Sequence, residues 1–271
     1  SHREFNEAVQ NLVQDVARFG LEASEGWIPS NEVDRSLLPE DISLTLAPFA
    51  DPEFRIEATL RSFYNSLRLY EYTEESITSL LGLPSLQSIE PTRLHWHSVY
   101  QLPDSPLADL IRLFLLRGTC NYDRIVNLLG LKVVKTIVSL GILVDNENGD
   151  LKSAVDIFCS GGMIFATDHR YQLCVDDSLN EEPVMYIGMD SHGLVQTAPR
   201  QVADSLLDLC CGSGVQGLVA SRYSVRVIAV DLNPRAVRFA RFNAQLNGVQ
   251  NYEVRLGNLY EPIGQERFDV I

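Results

Sequence analysis

The sequence predicts an α/β protein with a helical N-terminal part and the first strands of a parallel sheet at its C-terminal end. Three observations predict this fold class. Apolar residues recur at helical spacing through residues 1–100, and residues 106–141 contain three short stretches of the same kind. Residues 205–231 then run through a buried strand, a glycine turn, a helix and a second strand, which is the order of a βαβ unit. With 271 residues and 45% hydrophobic content, the chain can bury a substantial core.

The charge is acidic and unevenly distributed. The formal net charge is −14, and residues 1–180 carry 14 basic and 26 acidic side chains against 8 and 10 in residues 181–271. Such a surface repels phosphate backbones, which argues against loose electrostatic binding of RNA or DNA by this chain alone. A basic partner or a neutral groove remains compatible with this charge.

Cysteines and histidines show no pattern of a disulfide framework or a metal site. The five cysteines lack C-x-x-C spacing, and the pair His95 and His97 has no third ligand nearby. No apolar run reaches the ~20 residues that span a bilayer, and the charged, amphipathic N-terminus is unlike a signal peptide. We therefore expect a cytoplasmic protein with reduced cysteines, no metal and no membrane segment.

Residues 1–100 are expected to form an N-terminal helical region. Helical periodicity is clear at 4–20, 52–71 and 73–82, and proline-containing connections separate the first two stretches. Residues 85–106 are rich in turn-forming side chains and are predicted to be a connector.

Residues 103–175 resemble a winged-helix domain. Three helical stretches, each ending in a glycine suited to a helix C-terminus, precede a strand predicted at 142–144. A turn at 146–150 and strands predicted at 152–159 and 161–169 follow. The third helical stretch occupies the recognition position but offers only Lys132 and Lys135 as cations. A structural or protein-contacting role is therefore favoured over nucleic-acid binding.

An acidic segment, DDSLNEEP, is predicted to link this region to a third one at residues 181–271, where LLDLCCGSGVQGL (206–218) stands out. Gly212, Gly214 and Gly217 match the dinucleotide-binding pattern G-x-G-x-x-G, and Asp231 follows at the end of the second strand, where an acid accepts ribose hydroxyls. A nicotinamide-dependent oxidoreductase is therefore one hypothesis.

Asp208 favours a different ligand. It lies four residues before the first glycine, where its carboxylate would repel the pyrophosphate of a dinucleotide. S-adenosyl-L-methionine has no phosphate and carries a cationic amino group and a sulfonium. A carboxylate beside its methionine moiety forms a charge-assisted hydrogen bond, worth roughly 1.5–3 kcal/mol.

The segments DLCCGSG, VIAVDLNPRAVRFARFNAQLNG, RLGNLYEPI and RFDVI follow one another as in class I S-adenosylmethionine-dependent methyltransferases. The chain is most similar to the branch that methylates amino or amide nitrogens, including release-factor glutamine and ribosomal RNA guanine-N2 methyltransferases. The resemblance covers about residues 184–271. It implies a partial Rossmann-like methyltransferase domain at 181–271 that binds S-adenosylmethionine.

The resemblance also implies site residues. It places Asp208, Cys210, Gly212 and Gly214 on the methionine side of the cofactor, Asp231 on the ribose, and Leu232 and Asn258 at the adenine. Asn258 stands where the family usually has an aspartate, and Cys210 where it usually has a glycine. A segment containing Asp190 and Ser191 resembles one that closes over the cofactor, although both residues are equally suited to cap a helix beginning near Gly193.

Residues 268–271 are predicted to begin a fourth strand, after which this branch carries an Asn-Pro-Pro-aromatic motif that orients the target nitrogen. We therefore expect the chain to be the N-terminal part of a longer enzyme, without an assignable catalytic residue and inactive alone. The expected acceptor is an exocyclic amino group of a nucleic-acid base or a protein glutamine amide, so the expected partner is RNA or a protein. A non-catalytic interaction protein with a degenerate methyltransferase fold remains an alternative.

Three arginines recur at every third position after Asn233-Pro234. Arg235, Arg238 and Arg241 are predicted to share one helix face. The face is interpreted as solvated, with a phosphate-tracking strip as the alternative.

Overall fold

The computed structural model describes residues 49–50, 52, 56–146, 148–170, 183–198 and 200–271. The helix predicted at 4–20 and the proline-containing connections after it lie outside these residues, as does most of the acidic linker. Across the described ranges, no helix is long and apolar enough to cross a membrane.

Two amphipathic helices open the described part, where the periodicity predicts them. α1 (Glu57–Leu69) buries one apolar face, and α2 (Glu74–Leu81) begins after Thr73, whose hydroxyl accepts a hydrogen bond from the Ser76 N–H at 3.2 Å. α2 ends at Gly82, whose φ of +62° suits a glycine cap.

The predicted connector is mainly helical rather than irregular. Short helical turns at Leu86–Ser88, Pro91–Arg93, Leu94–Trp96 and His97–Gln101 bury Leu86 and Leu94. The buried His97 ring bonds to the Gln101 side chain, which donates to the Leu81 carbonyl at 2.7 Å. In the described ranges, no three His, Cys, Asp or Glu side chains are grouped so that they could hold a metal ion.

Three helices and a small antiparallel sheet follow. Their elements are α3 (Pro106–Phe114), β1 (Thr119–Asn121), α4 (Tyr122–Leu129), α5 (Leu131–Ser139), β2 (Leu143–Asp145) and β3 (Asp150–Ser153). The strand order β1-β3-β2 is compatible with a winged helix. The sequence does not predict β1, because three residues are too few to show alternation.

Gly118 is the glycine after the first of the three predicted helical stretches, and it does not cap a helix as predicted. α3 already ends at Phe114, so Gly118 does not close it. A Cβ at Gly118 would lie 2.6 Å from Arg112 Cγ and 2.8 Å from Ser98 Oγ. Glycine is therefore required there for a close approach of the chain to α3.

The strand predicted at 152–159 is two strands of different sheets. β3 ends at Ser153 and β4 (Asp156–Ser160) begins three residues later. Between them the Ser153 hydroxyl donates to the Val155 carbonyl at 2.6 Å, and the Ala154 N–H bonds to the Ile142 carbonyl. These bonds turn the chain, so that β4 pairs instead with β5 (Met163–Thr167) in a buried antiparallel hairpin.

The C-terminal part is a parallel sheet in the order β6-β7-β8. Its elements are α6 (Met189–Thr197), β6 (Ala203–Leu209), α7 (Val215–Ala220), β7 (Ser224–Asp231), α8 (Pro234–Asn247) and β8 (Tyr252–Leu256). Val270 pairs in parallel with Leu206 on the other side of β6, where the predicted fourth strand begins. The α/β fold class is thus confirmed.

α8 joins this sheet to the β4-β5 hairpin through two asparagines one helical turn apart. Asn243 accepts from the Ala166 N–H at 2.7 Å and donates to the carbonyls of Ala166 at 2.9 Å and Ser213 at 2.8 Å. Asn247 pairs with the N–H and the carbonyl of Ile164 in the same way, at 3.0 and 2.6 Å. The two amides satisfy the edge of β5 as a further strand would.

The prediction of a solvated arginine face on α8 is wrong for Arg235. That side chain is 1% exposed and forms an ion pair with Asp168, while Arg238 and Arg241 are half-buried. α8 is covered by the sheet on one side and by α1 and β5 on another, so it has no room for a solvated face of that width.

One buried apolar cluster extends from Phe49 to Leu246 and draws on all three regions predicted from the sequence. Within it the ring of Phe49 stacks on Phe239 of α8, with centroids 4.1 Å apart. The N-terminal part therefore packs directly on the helix that supports β7 and β8.

We expect Asn243→Ala to lower the free energy of unfolding by about 2–4 kcal/mol, because the peptide groups that it pairs would stay buried without partners. Urea unfolding measures this change. Asn127→Ala is the control, since Asn127 is exposed on α4 and should change stability by less than about 0.5 kcal/mol. Equal losses in the two variants would contradict the role of Asn243.

Candidate functional site

The carboxyl ends of β6, β7 and β8 meet at one edge of the sheet and bring the predicted site residues together. Asp208 lies near the end of β6, Asp231 ends β7, and Asn258 follows β8 by two residues. The strand order changes direction beside β6, because Val270 pairs on its other side. Ligands of open α/β sheets bind at such a point, outside the carboxyl ends of the strands.

The glycine turn between β6 and α7 packs closely on neighbouring side chains at Gly214 and Gly217 and is open at Gly212. A Cβ at Gly214, whose φ is +83°, would lie 2.7 Å from Tyr252 Oη, and one at Gly217 would lie 2.8 Å from the Asp208 carboxylate. Gly212 is different: of the described residues, only Val184 comes within 4 Å of its Cβ position, at 3.9 Å. The turn is therefore open to a ligand at Gly212.

Asp208 is directed toward α7, and its carboxylate accepts the Gly217 N–H at 2.8 Å. Burial raises the pKa of this carboxyl to about 6; the Gly217 hydrogen bond opposes the rise and the nearby Asp231 adds to it. A cation bound here would favour the ionised form. The site is thus suited electrostatically to a positively charged group.

Asp231 holds the glycine turn to the end of β7. One carboxylate oxygen accepts the Gly212 N–H at 2.8 Å, and the other accepts the Asn233 N–H at 2.9 Å. A carboxylate has about four lone-pair sites, so Asp231 can hold both amides and still accept from a ribose diol.

Exposed apolar side chains follow the ends of β7 and β8. Leu232 is 67% exposed. The Gly257 N–H bonds to the Asp231 carbonyl at 2.9 Å, which ties the loop that contains Asn258 to the end of β7. Leu259 and Tyr260 are also about half exposed here. Sequence analysis did not single out these two, because single apolar residues in a loop show no periodicity.

Asp190 and Ser191 lie in the first turn of α6, so the interpretation that they cap a helix near Gly193 is wrong. α6 begins at Met189, and Gly188 is its extended N-cap. The Gln216 side chain donates to the Ser191 carbonyl at 2.9 Å and thereby fixes α6 against the start of α7. The sequence analysis did not single out Gln216. Its position two residues after Gly214, at the start of the helix that follows the glycine turn, was the available signal.

Cys210 has a backbone conformation that favours glycine. Its φ is +57°, and its side chain is exposed at the turn. A non-glycine residue in this region stores strain on the order of 1 kcal/mol. Class I methyltransferases, which this region resembles, usually carry a glycine at this position, and a glycine adopts this conformation without strain.

S-adenosylmethionine fits these residues. Asp208 provides an anionic partner for its amino group, Gly212 an open backbone surface, and Asp231 acceptors for its ribose. Leu232 and Asn258 provide an apolar surface and an amide for the adenine. The cofactor contacts of all nine predicted residues stay predictions.

This sheet, turn and pair of carboxylates define a Rossmann-like nucleoside-binding domain. Residues 187–271 match the sequence profile described as "Methyltransferase small domain". This C-terminal segment therefore matches methyltransferase small domains, and the expected class and its cofactor agree with that match.

Curated relatives match parts of the same region. The chain is 39% identical over 88 residues to the release factor glutamine methyltransferase of Aliivibrio fischeri, a match covering 30% of this chain and 31% of the relative. It is 50% identical over 52 residues to the human tRNA (uracil-5-)-methyltransferase homolog A, covering 19% and 8%. The chain thus spans less than a third of either relative's length.

Among solved structures, the ribosomal protein L11 methylase from Lactobacillus delbrueckii subsp. bulgaricus is 23% identical to this chain. The match covers 28% of this chain and 39% of that one, with a TM-score of 0.25.

We expect the affinity for S-adenosylmethionine to be constant from about pH 8 to 6.5 and to fall by about tenfold per pH unit below pH 6. The reason is that the cationic ligand needs ionised Asp208, whose pKa in the free protein is raised to about 6. Isothermal titration calorimetry between pH 5 and 8 measures this profile. Asp208→Asn should bind more weakly and with a flat profile, whereas a flat profile in the unaltered protein would contradict the contact.

We expect Cys210→Gly to raise the free energy of unfolding by about 0.5–1 kcal/mol, because it relieves the backbone strain. Cys211→Gly is the matched variant and should have the opposite sign, since Cys211 is buried and its φ is not positive. Thermal unfolding of both variants distinguishes relief of strain from a general effect of glycine in this turn.

Proposed function

We propose that the chain binds S-adenosylmethionine at the carboxyl edge of β6, β7 and β8, and that it belongs to an enzyme that methylates a nitrogen atom. The carboxylate of Asp208 beside the glycine turn is the observation that carries this proposal. It would repel the pyrophosphate of a dinucleotide and attract the cationic methionine moiety. Asp231 suits the ribose of either ligand, so Asp208 discriminates between them.

The residues of this chain bind the cofactor and orient it. When bound, S-adenosylmethionine supplies an electrophilic methyl carbon. Asp208 holds the amino group, Asp231 holds the ribose, and Leu232 and Asn258 hold the adenine. Asp231 also fixes the Gly212 amide, so the same carboxylate sets the shape of the turn and the position of the ligand. The rate gain from such an arrangement comes from positioning.

For the acceptor, we favour a glutamine amide in a protein. The net charge of −14 disfavours a polyanionic partner, and the 88-residue match to a release factor glutamine methyltransferase supports an amide nitrogen. An RNA base is the second candidate, because a 52-residue stretch matches a tRNA (uracil-5-)-methyltransferase. The acceptor that this name gives is a ring carbon, so the match supports RNA as a partner and does not support an amino nitrogen. Such a base would have to be unstacked or single-stranded. A cytoplasmic location belongs to this proposal.

We expect the chain to bind S-adenosylhomocysteine and not NADH, and Gly214→Ala to weaken that binding by at least about tenfold, because the added methyl group displaces the turn. Gly149→Ala is the matched control: its φ of +78° is similarly strained, but the Cβ would have nothing within 4 Å in the described structure. Calorimetric titration measures both. Preferential binding of NADH would support the oxidoreductase alternative instead.

Methyl transfer is tested with the protein expressed from the complete reading frame that contains this chain. Labelled S-adenosylmethionine is incubated with protein and RNA fractions, each treated with protease or ribonuclease afterwards. Label that is lost only with protease supports the proposal, and label lost only with ribonuclease supports an RNA base. Cofactor binding without transfer to either fraction would favour a non-catalytic interaction protein.

A further inference from the structure

Asp168 is a buried carboxylate from the N-terminal part that bonds to two elements bordering the cofactor site. It follows β5 directly and is 1% exposed. Its oxygens accept from Arg235 Nε at 2.8 Å and Arg235 Nη2 at 2.5 Å, and also from the Val184 N–H at 2.8 Å. This carboxylate is therefore bound on two sides at once, with the bidentate geometry that fixes an arginine in orientation.

Arg235 connects Asp168 to the ribose side of the site. It is the second residue of α8, and its N–H bonds to the Asn233 side chain at 2.9 Å. The Asn233 N–H in turn bonds to Asp231. A shift of Arg235 would therefore move the loop that presents Asp231 and Leu232.

Val184 connects Asp168 to the other side of the site. Its side chain is the nearest described group to the open face of Gly212. It also lies at the start of the segment that leads into α6, where Asp190 and Ser191 occupy the first turn. The position of Val184 therefore sets both the space above the glycine turn and the entry into α6.

Loss of the Asp168 charge would break the bidentate contact that orients Arg235. The Arg235 guanidinium is 1% exposed and packs over the rings of Phe49 and Phe239, at 5.9 and 5.2 Å from their centroids. A buried guanidinium that loses its carboxylate seeks another partner or water. The orientation of Arg235 at the start of α8 would then be less well defined.

We propose that Asp168 is a positioning residue for the cofactor. It acts through Arg235 and Val184, and it holds the elements on both sides of the proposed cofactor site from outside residues 187–271. The inference rests on the proposed function only for the identity of the ligand. It makes the β4-β5 hairpin a structural part of the cofactor site.

Asp168→Asn tests this proposal, because it removes the charge and keeps the size of the side chain. Asp109→Asn is the matched control: Asp109 is 3% exposed, pairs with Arg112 and Arg124, and lies in α3 away from the site. Both variants should lose stability. At a temperature where both stay folded, only Asp168→Asn should raise the Kd for S-adenosylmethionine, by about tenfold or more.

Hydrogen exchange measured by mass spectrometry provides a readout that is independent of ligand binding. Asp168→Asn should increase exchange in residues 183–191 and 210–214, whereas Asp109→Asn should leave both segments unchanged. Unaltered affinity and exchange in Asp168→Asn would overturn the proposal. If the unaltered protein fails to bind S-adenosylmethionine, the proposed function fails, and the exchange data alone decide whether Asp168 orders these segments.

Discussion

The structure depends on the hydrogen bonds between α8 and the edge of β5. A buried strand edge must have its peptide groups paired, and a helix ordinarily has no free backbone groups to offer. Asn243 and Asn247 solve this problem because an amide side chain has the donor and acceptor of a peptide group, and their four-residue spacing places both on one face of the helix. The pairing fixes where the hairpin lies along α8.

This constraint determines the geometry of the proposed cofactor site. α8 is the helix between β7 and β8, so Asp231, the last residue of β7, and Leu232 directly precede it. With the hairpin fixed along α8, Asp168 at the end of β5 meets Arg235 at the start of the same helix. At the other end of β5, the hairpin turn packs on α6 and α7, where a Cβ at Gly161 would lie 2.9 Å from Val219 and 3.1 Å from Val195. The N-terminal part therefore supports the site and shares its core.

The proposed site contains two groups that lower the stability of the free protein. Cys210 adopts a backbone conformation that costs energy, and burial shifts the pKa of Asp208 so that its charge is disfavoured in the free protein. Both lie at the carboxyl end of β6, within three residues of each other. Such departures from local rules are expected at functional sites, where the surrounding structure compensates for them. A cationic ligand would recover part of this cost by stabilising the Asp208 carboxylate.

The sequence by itself determined the βαβ unit, the glycine turn and the places of Asp208 and Asp231. Strand, turn and helix follow within about thirty residues there, and each is specified by its own composition and periodicity. Only the tertiary structure decided that Arg235 is buried, that the strand predicted at 152–159 divides between two sheets, and that Asp168 pairs with Arg235. Each of these depends on residues far apart in the chain, such as Asp168 and Arg235, which are separated by 67 positions. A local pattern records the apolar faces of a helix, but it does not record which distant segment will cover them.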